Sequence, residues 1–234
     1  MSTFLEFARG PLFTATFLFM VLALLRLVAL QVVEMVKARN RSRDFRMPWK
    51  RMFQDFAGWI VPSQNMVRQK PLFSIMSILF HIGLILVPIF YVAHIALWES
   101  GLGIHWAGFG KGWADLFTII TIIGGLYLLL ARIFHQPTRF MSTPMDYFLL
   151  VLLLTPFISG FMMVHPALLP AGYNTVFLVH VLSSELIFVL LPFTKMAHVV
   201  LYPFDRMASD YYWNLATDGP AKVAEAVRGE NLKV

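Results

Sequence analysis

The chain has 234 residues, of which 58% are apolar and 14% charged, against about 45–50% and about 25% in an ordinary soluble domain. With a mean hydropathy of +0.68, it carries more apolar side chain than a soluble fold of this length can hide, so its solvent is lipid, and disorder, coiled coil and nucleic-acid partners are excluded as main themes. The net charge is +6 and there is no cysteine, which excludes disulfides, iron–sulfur clusters, thiolate zinc sites and covalent c-type haem, and leaves any redox or metal chemistry to histidine.

Five apolar stretches are long enough to cross a bilayer core of about 30 Å. They lie at about 12–36, 72–98, 114–131, 147–164 and 175–202. They lack the alternation of barrel strands, and backbone groups in lipid must be satisfied within their own segment, so they read as helices. The expected fold is an all-α integral membrane protein, a five-helix bundle over residues 1–206 with a C-terminal tail at 207–234. No A-x-A cleavage site follows the first apolar run, which therefore reads as a retained anchor.

Basic residues set the expected orientation. The 37–70 loop holds nine: Lys37, Arg39, Arg41, Arg43, Arg46, Lys50, Arg51, Arg68 and Lys70. Arg132 and Arg139 follow the third stretch, and five more run from Lys195 to Lys233. Only Arg9 and Lys111 fall on the other side, and Arg26 lies inside the first stretch. The N-terminus is expected outside, and the large loop and C-terminus in the cytoplasm. Within that loop Trp49, Met52, Phe53, Phe56, Trp59 and Ile60 form one apolar helical face, either lying at the lipid interface or docking a partner. Thr143-Pro144-Met145-Asp146 supplies an N-cap, a first-turn proline and an acid, marking the start of the fourth helix. Trp98, Trp106 and Trp113 make an outer aromatic belt, and Tyr202, Tyr211, Tyr212 and Trp213 an inner one.

Ionisable side chains inside a membrane default to function. His180 and His198 stand 18 residues apart on the fifth stretch, five full turns and about 27 Å on a continuous helix. His81 and His94 stand 13 apart on the second, about 20 Å. The two stretches run in opposite directions, so His81 and His198 share the cytoplasmic depth and His94 and His180 the outer depth. That is the arrangement two bis-histidine haems require. On an ideal helix His81 and His94 differ by about 140° in direction, an offset that a kink at the intervening Pro88 would reduce. His105 and His135 fall in loops, and His165 at the outer end of the fourth stretch competes with His94 or His180 as a ligand.

Phe80-His81-Ile82-Gly83, and His180 followed by Leu191-Pro192-Phe193-Thr194-Lys195-Met196-Ala197-His198, resemble the membrane cytochrome b subunits of the respiratory nitrate reductase gamma type. Pro88-Ile89-Phe90 to His94, Asp146-Tyr147 and Gly160-Phe161 to His165 are similar to the branch found in sulfate-reducing bacteria, which comprises the DsrM-like subunit and the subunits of the Hmc and Tmc complexes. The resemblance spans about residues 12–206 and is greatest to the Hmc type. It implies five helices, two b haems held by His81, His94, His180 and His198, and menaquinone chemistry in the bacterial inner membrane. It also implies a cytoplasmic iron–sulfur (HdrD-like) partner, with further membrane and periplasmic multihaem cytochrome c subunits. The histidine interval on the second stretch is wider than in nitrate reductases and resembles that of cytochrome bc-type complexes.

Other charges fit around those haems. Arg26 lies ten residues from Lys37, too deep for easy snorkelling, and reads as a haem propionate partner or half of an Arg–Glu pair. Lys195 binds either a propionate or lipid phosphate. Glu185 is either a proton relay or a neutral acid in a helix contact. A quinone site at the outer end would draw on Trp98 and Trp106 for stacking, with His105, Lys111 and Glu99 for hydrogen bonding and proton exchange; the other reading is a wet loop with belt tryptophans. Lys111 is near the position where nitrate reductase gamma subunits carry a quinol-binding lysine. The competing functions are a haem-free membrane anchor and a histidine-lined ion or proton transporter. H-E-x-x-H is absent, so an intramembrane zinc protease has no support.

Overall fold

A computed structural model describes residues 2–42, 64–170 and 172–205. The amphipathic segment at Trp49–Ile60 and the 207–234 tail, with Tyr211, Tyr212 and Trp213, lie outside the described residues. Among those described, regular structure is helical, with one isolated parallel bridge between Tyr91 and Phe109. The helices are α1 (Ser2–Phe7), α2 (Phe13–Ser42), α3 (Gln64–Gln69), α4 (Pro71–Phe90), α5 (Val92–Leu102), α6 (Lys111–Phe134), α7 (Gln136–Phe140), α8 (Pro144–Val164) and α9 (Tyr173–Leu190). A π-helical turn at Ala8–Leu12 containing Pro11 joins α1 to α2.

Five helical stretches are long and apolar enough to cross a membrane: Thr3–Lys37, Pro71–Phe90, Lys111–Phe134, Pro144–Val164 and Tyr173–Phe193. The five expected spans are thus present, but two of them are interrupted. The second ends at Phe90 because Tyr91 turns extended (φ −70°, ψ 126°) before α5 begins. The fifth leaves α-helix at Leu190: Leu191–Phe193 is a single 3-10 turn containing Pro192, and Thr194 is extended (φ −122°, ψ −179°). Proline has no N–H to give and crowds the carbonyl four residues earlier. The count of five unbroken turns from His180 to His198 therefore does not describe this chain.

The chain divides into two compact units. One comprises residues up to 15 and 64–187, and the other 16–63 and 188 onward. In the first, α4 packs along α6 and α6 along α8. Lipid tails are as apolar as leucine, so close van der Waals fit and small residues hold such helices together. At the α4–α6 seam Gly83 lies so near that a Cβ would collide with Thr121 Oγ1 and stand 2.6 Å from the Phe117 carbonyl. Thr121 is fully buried and satisfies its hydroxyl on Phe117 O at 2.7 Å. Beyond the seam, Phe80, Leu128, Leu150 and Leu154 form the core, flanked by Phe73, Leu84 and Tyr127. Helix α8 starts as its sequence dictates: the Thr143 backbone N–H donates to Asp146 Oδ2 at 2.8 Å, inside a capping box.

In the second unit, Phe17 meets Phe188 edge-on at 5.8 Å and Phe19 meets Phe193 at 5.9 Å. Pro192, Met196 and Ala197 are buried, and residues 198–205 are helical.

Candidate functional site

The break after Phe90 shapes the first half of the site. Peptide groups freed there are taken up by the segment that follows α5. Phe109 N–H donates to Phe90 O at 2.8 Å, Val92 N–H donates to Phe109 O at 3.2 Å, and Trp106 Nε1–H donates to Ile89 O at 3.0 Å. Non-helical backbone at membrane depth needs such partners from within the protein. Gly108 permits the close approach, since a Cβ there would stand 2.6 Å from the Phe90 carbonyl and collide with Ile95. The break also lets the His94 ring reach back: Nδ1–H donates at 3.1 Å to Val87 O, seven residues earlier, which an unbroken helix would leave about 10 Å away along its axis.

The second half comes from α9 and α8. His180 Nδ1–H donates to Pro156 O at 2.8 Å, with Ser159 Oγ 3.3 Å from the same nitrogen. Gly160 clears space for the ring; a Cβ there would stand 3.0 Å from His180 Cε1 and 3.2 Å from Nδ1.

The His94 and His180 rings lie 6.2 Å apart between centroids, with planes 14° from parallel. Two metal–nitrogen bonds of about 2 Å each, with about 1 Å from each ring nitrogen to its ring centre, span about 6 Å between centroids. The observed separation matches that length, and His94 and His180 are the two residues that would hold such an ion. Both rings commit Nδ1–H to a carbonyl, so Nε2 keeps the lone pair, the tautomer and orientation typical of metal-ligating histidine. Among the described residues no group of three or more His, Cys, Asp or Glu could hold a bare metal ion. A haem iron, already bound by its own ring nitrogens, would need only two protein ligands, and His94 and His180 would supply them.

His81 and His198 belong to different units, and each shows the same tautomer. His81 Nδ1–H donates to Ser77 O and His198 Nδ1–H to Lys195 O, both at 2.7 Å. Arg26 and Lys195 are exposed. His165 is differently engaged: Nδ1–H donates to Phe161 O at 2.9 Å while Nε2 faces Asp115 Oδ2 at 3.4 Å. His135 is paired with Thr138 Oγ1 at 3.0 Å.

The residues expected at a quinone site make structural contacts. Lys111 Nζ donates to Val164 O at 3.0 Å, His105 Nδ1 lies 3.2 Å from Glu99 Oε2, and Trp98 and Trp106 are tilted rings 6.0 Å apart. Glu185 is buried, and neither carboxyl oxygen has a hydrogen-bond partner among the described residues. Sequence reasoning missed the groups that orient the rings (the Val87 and Pro156 carbonyls, Ser159 and Gly160) and the Asp115–His165 pair. A proline and a glycine four residues apart within the fourth apolar stretch were the available signal.

The profile of the nitrate reductase gamma subunit family matches residues 45–169, which include His81, His94 and His165 and stop short of His180 and His198. A protein of Nitratidesulfovibrio vulgaris (strain Hildenborough) is 37% identical over 169 residues, covering 70% of this chain and 73% of that protein. With its five membrane-crossing helices, this multi-pass membrane protein belongs to the nitrate reductase gamma subunit family.

Proposed function

We propose that the chain is a dihaem b-type electron-transfer subunit of a respiratory complex in a bacterial inner membrane. The observation that carries this reading is the His94–His180 pair, 6.2 Å apart and nearly parallel, with each Nδ1–H held by a backbone carbonyl. A b haem supplies reversible one-electron storage at its iron. The chain's own work is to hold the two imidazoles as neutral Nε2 donors, to fix their planes through Val87 O and Pro156 O, and to keep water from the ring faces with lipid-depth helices. His81 and His198 supply the second pair, on the cytoplasmic side, where Arg26 and Lys195 meet propionates.

The nine-charge 37–70 loop and the C-terminal tail face the cytoplasm in this reading and dock an iron–sulfur (HdrD-like) subunit. Electrons exchange with menaquinone, and with periplasmic multihaem cytochrome c and further membrane subunits of a Hmc- or Tmc-like assembly, at the other end. A chain without cysteine has no iron–sulfur relay of its own, so electrons must leave through another subunit. The test is a pyridine haemochrome assay with a reduced-minus-oxidised spectrum on purified full-length protein. Two haems per polypeptide are expected, one after His180→Ala and one after His198→Ala. No α-band in the wild type overturns the reading in favour of a haem-free anchor or a transporter.

A further inference from the structure

The three most exposed large apolar side chains among the described residues fall within one short stretch. They are Phe134 (77% exposed), Phe140 (92%) and Met141 (82%), in the connection that leaves α6, passes through α7 and enters α8. Single apolar side chains at a surface need no explanation, but three in eight residues point to something that covers them. The connection is closed on itself. Arg139 N–H donates to His135 O at 2.9 Å and Ser142 N–H to Arg139 O at 3.1 Å. Ser142 Oγ–H donates to Thr138 O at 2.8 Å, and His135 Nδ1 pairs with Thr138 Oγ1. The Tyr147 hydroxyl on α8 donates to Arg132 O on α6 at 2.8 Å and pins the two helix ends together. Peptide groups that bind one another instead of water are what a segment needs in order to lie against lipid.

Helix length gives the depth of this tip. Helix α6 has 24 residues and α8 has 21, about 36 Å and about 32 Å long. The hydrocarbon core is about 30 Å thick inside a bilayer of about 40–45 Å. Both helices therefore end only a few ångströms beyond the core, and the connection between them lies in the headgroup layer, where an apolar side chain reaches the acyl chains directly. Charge agrees with that depth. The Arg139 side chain is exposed and belongs to none of the ion pairs among the described residues. Arg132 lies in the last turn of α6, with Nη1–H donating to Leu128 O at 3.2 Å. The one nearby acid, Asp146, is taken up by the cap of α8. An apolar tip with a free guanidinium and no free carboxylate matches a phosphate layer over acyl chains.

We propose that the α6–α8 connection is an interfacial anchor for anionic lipid: Phe134, Phe140 and Met141 enter the acyl boundary of the leaflet at this end, and Arg139 binds lipid phosphate above them. The anchor fixes the height at which α6 and α8 sit in the bilayer. It is independent of any cofactor, and it leaves the 37–70 loop and the C-terminal tail as the surfaces for a water-soluble partner.

The chain has no cysteine, so Phe140→Cys and Met141→Cys, made separately, each accept a single nitroxide spin label in the full-length protein in lipid nanodiscs. Both side chains are exposed, so neither change removes a packed core contact. Oxygen concentrates in lipid and a neutral nickel chelate stays in water, and the ratio of their collisions with the label reads its depth. Ile123→Cys, at an exposed position in the middle of α6, gives the hydrocarbon reference, and the free label gives the water reference. Both tip labels should show a severalfold loss of nickel collisions against the free label, with oxygen collisions approaching those at Ile123. Exchanging phosphatidylcholine for phosphatidylglycerol should move both labels deeper, and Arg139→Gln should abolish that dependence on lipid charge. Tip labels as open to nickel as the free label in both lipids overturn the anchor and leave a surface for a soluble protein. Labels equally deep in the two lipids overturn the role given to Arg139.

Discussion

Gly160→Ala puts the His180 geometry under a small and calculable load. In a helix interior alanine is more favourable than glycine by about 1 kcal/mol. Against this, the new Cβ would stand 3.0 Å from His180 Cε1 and 3.2 Å from Nδ1, closer than carbon atoms rest comfortably, and such overpacking costs about 1–3 kcal/mol. The net is a loss of about 0–2 kcal/mol, concentrated on the ring that must move. Pro156 O holds that ring at 2.8 Å, so it turns about the bond instead of sliding away. A loss of about 1.4 kcal/mol is tenfold in an equilibrium constant, so haem retention at this pair should weaken by up to about thirtyfold. The assays are haem titration of the apoprotein and low-temperature electron paramagnetic resonance, whose low-spin signal reports the angle between axial ring planes, 14° here. Gly112→Ala is the control, since nothing among the described residues lies within 4 Å of its Cβ position; it should leave both readings unchanged. Wild-type affinity and an unaltered signal in Gly160→Ala, and again in Gly160→Leu, would refute the assigned clearance.

Gly83→Ala should lower stability in detergent by about 1–3 kcal/mol, because its methyl is driven into Thr121 across the α4–α6 seam; thermal unfolding reads this, and an unchanged midpoint would mean that the seam is looser than drawn. Trp106→Phe removes the Nε1–H donated to Ile89 O and should cost about 0.5–1.5 kcal/mol, seen as faster hydrogen exchange at residues 89–92. Glu185→Met replaces a buried carboxyl that has no partner among the described residues and should stabilise the isolated chain by about 1–3 kcal/mol; destabilisation would show that the carboxyl is paired in the membrane.

The spans were legible because lipid leaves a chain few options: long apolar runs must close their hydrogen bonds locally, and all five do so as helix. The interruptions were not. Pro88 announces a weakness in α4, but the chain departs at Tyr91 because the carbonyls of Ile89 and Phe90 find donors on Trp106 and Phe109, residues remote in sequence. Counting residues brought His94 and His180 to the same depth, and the structure sets their rings side by side. It could not show that the carbonyls of Val87 and Pro156 aim them, because such bonds depend on where a helix breaks and where its neighbour lies. Lys111, which the sequence suggested as a quinone ligand, has a contact that residue counting could not show either: its ammonium donates to the carbonyl of Val164 at the end of α8.

The interruption at Tyr91 also makes this stretch of chain conditional on its own downstream sequence. The carbonyls of Ile89 and Phe90 and the amide of Val92 are satisfied by Trp106 and Phe109, and a peptide group left bare in hydrocarbon is costly. A chain shortened before Trp106 would leave those groups without donors or acceptors, and residues 89–92 would do better to continue α4 or to stay in the wet interface. Residues 106–109 are thus an internal fastener that allows the backbone to leave helix inside an apolar stretch, and the reach of the His94 ring to Val87 O depends on that departure.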